Sequence, residues 1–188
     1  VDMSTQEIKT DQLKPEYREW GGRGLTSLII KREINPQCDA CGPENKLIIA
    51  PGFLSGSGFV NTSRVSIGAK SPLTGGIKES NAGGTAGFLL GRLGIGCIVI
   101  EGKCETNGLY LLKINNTGAC ELIPADDYRG MRTYRLVEAL HEKYGIQNTI
   151  LCIGPAGEFQ LSSASIQTTD MDGRPCRAAG RGGMGAVM

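Results

Sequence analysis

The stretch TSRVSIGAKSPLTGGIKESNAGGTAGFLLGRL, residues 62–93, contains the two patterns from which the fold is predicted. Apolar and small residues alternate from Val65 to Ala69, which predicts a half-buried strand. After a turn rich in proline and glycine, small residues from Ser80 lead into an apolar helix that we expect to end at Gly94. A glycine-rich step therefore connects extended chain to a helix.

The same glycine-rich step into a helix recurs at Gly21 and near the carboxyl end of the chain. This recurrence raises the hypothesis of a weak internal pseudo-duplication. Strand patterns outnumber helix patterns and do not alternate regularly with them, so we predict an α+β domain with mixed or antiparallel sheets and a few helices. Further patterns predict helices at 21–32 and 134–144 and strands at 46–50, 97–100, 109–114, 150–153 and 162–168.

The overall composition disfavours several classes of partner. Twenty basic and nineteen acidic residues leave a formal charge of +1, whereas nucleic-acid and membrane-surface binders usually carry a stronger basic excess. No apolar run approaches the roughly 20 residues that cross a bilayer, and the polar first 20 residues do not resemble a signal peptide. Seven cysteines, an odd number, fit reduced thiols better than a disulfide framework. We therefore expect a cytoplasmic protein that binds neither nucleic acid nor membrane.

Residues 177–188, RAAGRGGMGAVM, are the most informative for function. Backbone N–H groups approach an anion only where no side chain intervenes, and arginine adds paired donors, so Arg177, Arg181 and the neighbouring glycines predict a phosphate-binding loop. The glycines also fit the G-x-G-x-x-G pattern, but that match is weak because no predicted strand directly precedes it. The alternative is a glycine-rich turn that packs against the core and leaves its arginines exposed.

Two earlier positions are further candidates for ligand contact. Arg64 opens the predicted strand at Val65, where an arginine needs a partner or water; the alternative is an ordinary surface arginine. Asn81 either contacts a ligand or caps the following helix through its side chain. Neither position decides the function alone.

Eight short motifs that occur in a fixed order indicate a protein family much more specifically than any one of them does. They are Gly21-Gly-Arg-Gly-Leu25, Gly42-Pro-Glu-Asn-Lys-Leu47, Ser63-Arg64, Ala69-Lys-Ser-Pro-Leu-Thr-Gly75, Ser80-Asn-Ala-Gly-Gly84, Val99-Ile-Glu-Gly-Lys103, Ile153-Gly-Pro-Ala-Gly-Glu158 and residues 177–188. Over nearly the whole chain, this series closely resembles the amino-terminal domain of the aldehyde:ferredoxin oxidoreductase family. The resemblance implies that residues 1–188 form one β-rich, metallopterin-binding domain.

The resemblance also implies a cofactor and the residues that hold it. Family members bind tungsten, or sometimes molybdenum, through the dithiolenes of two pterins, and a magnesium ion bridges the pterin phosphates. Carried over by motif, Arg64 would contact one pterin (tungstopterin or its molybdenum equivalent), with Asn81 and Gly83 beside it. The backbone carbonyls of Asn81 and Ala178 would be the protein ligands to magnesium. The second contact loop would consist of Arg177, Ala178, Gly180 and Arg181.

The activity that the resemblance implies belongs to a longer protein. It is the oxidation of an aldehyde with water to a carboxylic acid, with electrons passed through a [4Fe-4S] cluster to ferredoxin. The cluster-binding cysteines and acid–base residues of the family lie in later domains, so no catalytic residue is expected within 1–188. The chain is expected to be a piece of that protein, inactive alone, with the rest of its own chain, ferredoxin and a small aldehyde as partners. A homodimer is a further hypothesis.

The residues alone leave two other functions open. Cys38 and Cys41 form one C-x-x-C pair, which is half of a zinc or cluster site, and no second pair or spaced histidine completes it. A small redox or metal-binding protein that uses this pair is one alternative. The other is a stand-alone nucleotide- or phosphate-binding module that uses the loop Gly180–Gly185.

Overall fold

The computed structural model describes residues 1–106 and 108–188, and within them it shows four α-helices and nine β-strands. The helices are α1 (Gly22–Glu33), α2 (Ala86–Arg92), α3 (Thr133–Tyr144) and α4 (Pro155–Glu158). The strands are β1 (Lys46–Pro51), β2 (Val65–Lys70), β3 (Ile77–Ala82), β4 (Ile98–Glu101), β5 (Tyr110–Ile114), β6 (Cys120–Pro124), β7 (Leu151–Cys152), β8 (Ile166–Thr168) and β9 (Arg177–Ala179).

The strands form three antiparallel sheets. The largest has the order β3-β2-β1-β4, β5 and β6 form a hairpin, and the third has the order β7-β8-β9. Helices are few and do not alternate with strands. The predicted α+β fold with antiparallel sheets is therefore confirmed.

The four-stranded sheet separates two hydrophobic cores. Because side chains alternate along a strand, Leu47 and Ile49 of β1 enter one core while Ile48 and Ala50 enter the other. This is why β1 has a continuous apolar sequence rather than an alternating one. Each such aliphatic side chain contributes about 1.5–3 kcal/mol when fully buried.

Helix α1 covers one face of this sheet. Its residues Leu25 and Ile29, four positions apart and almost fully buried, pack with Ile48. The helix lies close to β2, because a Cβ added to Gly68 would be only 2.7 Å from the Thr26 Cβ atom. This packing places the amino end of α1 beside the start of β2.

The other core joins the large sheet to the carboxyl-terminal one. Ile166 of β8 and Ala179 of β9 are fully buried together with Val65 and Ile67 of β2. The contact brings β9 beside β3, although more than ninety positions separate them along the chain. The fold thereby assembles the functional candidates from distant segments.

Several local predictions are wrong. Residues 80–82 belong to β3 and not to a helix entry, so Asn81 is not a helix cap; Thr85 precedes α2. Strand β3 has little apolar alternation, and it exists because it pairs with β2 from Val65↔Ala82 onward. Strand β6 was also missed.

The carboxyl end differs as well. Strand β9 directly precedes Gly180, which the sequence did not predict. The apolar run that follows forms only a short 3-10 turn, Met184–Ala186, and not the expected α-helix. A dinucleotide fingerprint needs both the strand and the helix, so the G-x-G-x-x-G match is incidental.

Among the residues that the structure describes, none of the helices combines the length and apolar character required to span a bilayer.

Candidate functional site

The candidate site lies at the open edge of the large sheet, where β3 is the outer strand. The Ser80 Oγ atom lies 2.6 Å from the carbonyl oxygen of Gly180 and 2.7 Å from that of Arg181. The Ser71 hydroxyl, just after β2, donates to the Gly182 carbonyl at 2.6 Å. Two serines therefore hold three consecutive carbonyl groups of the loop that follows β9.

These carbonyl groups fix the direction of the N–H groups that follow them. In a trans peptide, the C=O and the next N–H point in opposite directions, and no cis peptide bond occurs in the described chain. The N–H groups of Arg181, Gly182 and Gly183 therefore point away from Ser71 and Ser80. Residues 1–106 and 108–188 supply no hydrogen-bond acceptor for these three N–H groups. Such a row of free N–H groups in a curved loop is suited to bind an anion.

The loop depends on an unusual backbone conformation. The φ angles are +69° at Arg181, +78° at Gly182 and +73° at Gly183, all in the left-handed region that favours glycine. A Cβ added to Gly183 would lie 2.0 Å from the Ser162 carbonyl oxygen, so conformation and space both require glycine there. At Gly180, an added Cβ would meet nothing within 4 Å, so that side of the loop is open.

The other candidate residues lie where β2 begins and β3 ends. The pairing of these strands ends at Val65 and Ala82, so Arg64 and Gly83 are the next residues of each. A Cβ added to Gly83 would lie 3.9 Å from the Arg177 Cδ atom, so the Arg177 side chain passes beside Gly83. The structure thus brings the start of β2, the end of β3 and the start of β9 together. We call the surface formed by Arg64, Asn81, Gly83, Arg177, Ala178 and residues 180–183 the cradle.

The Asn81 side chain is held on both sides. The Ser66 hydroxyl donates to Asn81 Oδ1 at 2.5 Å, and Asn81 Nδ2 donates to Glu79 Oε2 at 2.8 Å. The same Glu79 carboxylate forms an ion pair with Arg23, with 3.0 Å between Oε1 and Nε. Because protein groups occupy its amide, a ligand at Asn81 would meet the backbone and not the side chain.

Sequence reasoning missed several residues that shape this site. Nothing local connects Ser80 or Ser71 with a loop about a hundred residues away. Had β3 been recognised, its alternation would have placed Glu79 and Asn81 on one face. Arg23 lies within the motif Gly21-Gly-Arg-Gly-Leu25, but nothing in the sequence pattern assigns it a role.

The cysteine pair lacks the surroundings of a metal site. Cys38 is buried, and burial together with the nearby Asp39 charge raises the pKa of the Cys41 thiol. A raised pKa reduces the thiolate fraction that binds metals and exchanges disulfides. In the part of the chain that the structure describes, no three His, Cys, Asp or Glu side chains are grouped so as to hold a metal ion.

An open groove of about 490 Å³ lies next to the cradle. Its lining residues Ser63 and Gly84 directly adjoin Arg64 and Gly83 of the cradle in the sequence. Its lining combines five exposed apolar side chains, Phe59, Phe88, Leu89, Ile146 and Met171, with polar ones that include Asp170. No arginine or lysine of the described chain lines the groove, so it is chemically distinct from the cradle.

Comparison with known proteins gives consistent relatives. A sequence model described as aldehyde ferredoxin oxidoreductase, N-terminal domain, matches residues 1–188. The chain is 38% identical to the tungsten-containing aldehyde ferredoxin oxidoreductase of Pyrococcus furiosus and 37% identical to that of Thermococcus kodakarensis, each over 191 residues. Each comparison covers 100% of this chain and 30% of the relative, so the chain spans about 30% of the length of these relatives.

A solved structure has the same fold. It is the active site complex BamBC of benzoyl coenzyme A reductase in complex with 1,5-dienoyl-CoA, with a TM-score of 0.90 and 29% sequence identity. The match covers 100% of this chain and 28% of that one. The family model and the sequence relatives show that this chain belongs to the aldehyde ferredoxin oxidoreductase family and corresponds to the N-terminal domain of its members.

Proposed function

We propose that this domain binds a bis-pterin tungsten or molybdenum cofactor at the cradle. The observation that carries this proposal is the row of three N–H groups at residues 181–183, which face away from Ser71 and Ser80 and have no acceptor among the described residues. Arg181 belongs to that row, Arg177 lies four residues before it in β9, and the side chains of Arg64, Arg177 and Arg181 are all exposed. Backbone N–H groups and arginine forks are the donors that proteins use for phosphate.

The donor set fits a phosphate-bearing cofactor better than a metal ion bound by side chains. The cradle offers N–H groups and guanidinium groups, with no thiol or imidazole among its residues. Tungsten would therefore be held by the dithiolene sulfurs of the cofactor, in agreement with the tungsten-containing relatives. Magnesium prefers oxygen ligands, and the backbone carbonyls of Asn81 and Ala178 would provide them. Since the Asn81 amide is occupied by Ser66 and Glu79, its carbonyl is the oxygen that it would contribute.

The activity belongs, in this proposal, to the full-length protein. The bound cofactor supplies two-electron redox chemistry, and the overall reaction converts an aldehyde and water into a carboxylic acid, two electrons and two protons. A [4Fe-4S] cluster in the remaining part would pass the electrons to ferredoxin, the acceptor in the names of the relatives. The residues of this domain bind the cofactor phosphates and fix their orientation.

The proposal is tested by Arg181→Ala and Arg64→Ala in the full-length protein. Each removes a charge-assisted contact worth about 1.5–3 kcal/mol, so cofactor retention should weaken about ten- to a hundredfold. Pterin fluorescence after oxidation and the tungsten and molybdenum content after gel filtration give the readout. Arg135→Ala is the matched control, because Arg135 is an exposed arginine of α3 that pairs with Glu138 and is not a cradle residue. Full occupancy in both cradle variants would refute the proposal.

A further inference from the structure

A fourth arginine lies beside the cradle. Arg23 is in the first turn of α1, and its Nε atom lies 3.0 Å from Glu79 Oε1. The Arg23 side chain is 68% exposed, whereas that of Glu79 is only 15% exposed. Among the described residues, none bonds to the two terminal nitrogens of Arg23, which are therefore available to a ligand.

Strand geometry places Arg23 on the same face as Arg64. Ser66 and Asn81 bond to each other, so their side chains project from one face of the sheet. Glu79 lies two positions before Asn81 in β3. Arg64 lies two positions before Ser66 and directly before β2, where its carbonyl still accepts from the Gly52 N–H, so alternation places both side chains on this face. A Cβ added to Gly22 would lie 3.2 Å from Ser66 Oγ, so the first turn of α1 lies on this face as well.

The carboxylate of Glu79 explains how Arg23 is held. A mostly buried negative charge next to an anion site is unfavourable unless a cation neutralises it. The Arg23 guanidinium provides that charge through one nitrogen, and its two terminal nitrogens can still donate as a pair to a phosphate. Glu79 in turn limits the many rotamers of an exposed arginine and, through its other oxygen, holds Asn81.

We propose that Arg23 is a further cofactor-binding residue, which donates to a phosphate of the cofactor, and that Glu79 is the positioning residue that holds Arg23 and Asn81. The inference rests on the proposed function. It adds a residue at the amino end of α1 to those that contact the cofactor.

The first test is Arg23→Gln in the full-length protein, with Arg32→Gln as the matched control. Arg32 lies in the last turn of the same helix and forms an ion pair with Glu16 at 3.7 Å, so the charge change is the same. We expect Arg23→Gln to lower pterin and metal retention about tenfold, the effect of losing one charge-assisted bond, and Arg32→Gln to leave it unchanged. Retention measured at low and at high salt should depend less on salt in Arg23→Gln. Melting of the cofactor-depleted protein should fall modestly, because Glu79 loses its cation, so the changed salt dependence of retention is the readout that a merely structural role would not give.

The second test separates Glu79 from Arg23. Glu79→Gln keeps an acceptor for Asn81 Nδ2 but loses the charge that holds Arg23, so it should weaken retention in the wild-type background and add nothing in the Arg23→Gln background. Unchanged or tighter retention in Glu79→Gln, or an equal loss in both backgrounds, would overturn the positioning role.

Arg181→Ala in the same series distinguishes this inference from the proposed function. If Arg181→Ala loses cofactor and Arg23→Gln does not, Arg23 is not a cofactor-binding residue, but cofactor binding at the cradle is still supported. If neither Arg181→Ala nor Arg64→Ala loses cofactor, the proposed function itself fails.

Discussion

Gly183 and Gly75 have the same left-handed backbone conformation, with φ of +73° at both positions, but different surroundings. Alanine at either position would take on a backbone penalty of about 1–2 kcal/mol. At Gly75, the new Cβ would meet nothing within 4 Å, so no further cost is expected. At Gly183, it would lie 2.0 Å from the Ser162 carbonyl oxygen and 2.9 Å from Pro72 Cγ, so the backbone must move. Such overpacking adds about 1–3 kcal/mol.

The comparison between the two variants is cleaner than either measurement alone. Both lose a glycine, so the reduced entropy of the unfolded chain affects them equally and cancels. Thermal unfolding of the 188-residue chain, followed by circular dichroism, should show Gly183→Ala melting about 3–10 °C below Gly75→Ala. In the full-length protein, Gly183→Ala should also lose cofactor, because the backbone movement turns the N–H of residue 183 away from the anion that it would bind. Equal melting temperatures, or equal cofactor content, would refute the close packing assigned to Gly183.

Two further predictions concern the buried hydroxyl of Ser80 and the half-buried carboxylate of Glu33. Ser80→Ala leaves two loop carbonyls without the hydroxyl that they share, which should lower the free energy of unfolding by about 1–3 kcal/mol. Ser57→Ala at an exposed turn is the control and should cost less than about 0.5 kcal/mol. Equal melting curves for the two variants would contradict the role of Ser80. Burial raises the pKa of Glu33, but hydrogen bonds outweigh it and lower the pKa from 4.5 to about 2. The stabilisation from Glu33 should therefore be complete above about pH 5 and disappear as pH falls towards 2. Glu33→Gln should flatten the loss of unfolding free energy at acid pH, while the exposed Glu121→Gln should not. An unchanged acid dependence in Glu33→Gln would rule out this origin. The donors to Glu33 are Lys14, Lys46 and Tyr17.

The parts of the fold that sequence could predict are those with local causes. Helix α1 follows from apolar residues such as Leu25 and Ile29 at helical spacing, and β1 follows from a continuous apolar run bounded by Pro51. Strand β3 has neither signal, since its sequence is IKESNA. It forms because β2 offers it a partner, and a long-range partner is invisible to local patterns. The error at Asn81 has this cause.

The site could be predicted only in part for a similar reason. The residues of the loop after β9 suggested anion binding by their type, and the family resemblance proposed Arg64, Asn81 and Gly83 as their companions. The direction of the loop's N–H groups depends on hydrogen bonds from Ser71 and Ser80. No periodicity or motif encodes a contact between two serines and carbonyl groups about a hundred positions later, so this feature needed the structure.

The two kinds of donor in the cradle should respond differently to salt. Arg64 and Arg181 are exposed, and attraction between exposed charges and an anion is screened within about 10 Å at 0.1 M salt. The N–H groups of Gly182 and Gly183 belong to buried residues in a fixed backbone, so their bonds depend on direction more than on net charge. Cofactor that stays bound at high salt would therefore be held mainly by the loop backbone, while the arginines strengthen binding at low salt. In this division, the serines and glycines that shape the loop determine the retention that survives high salt, and the arginines add the retention that salt removes.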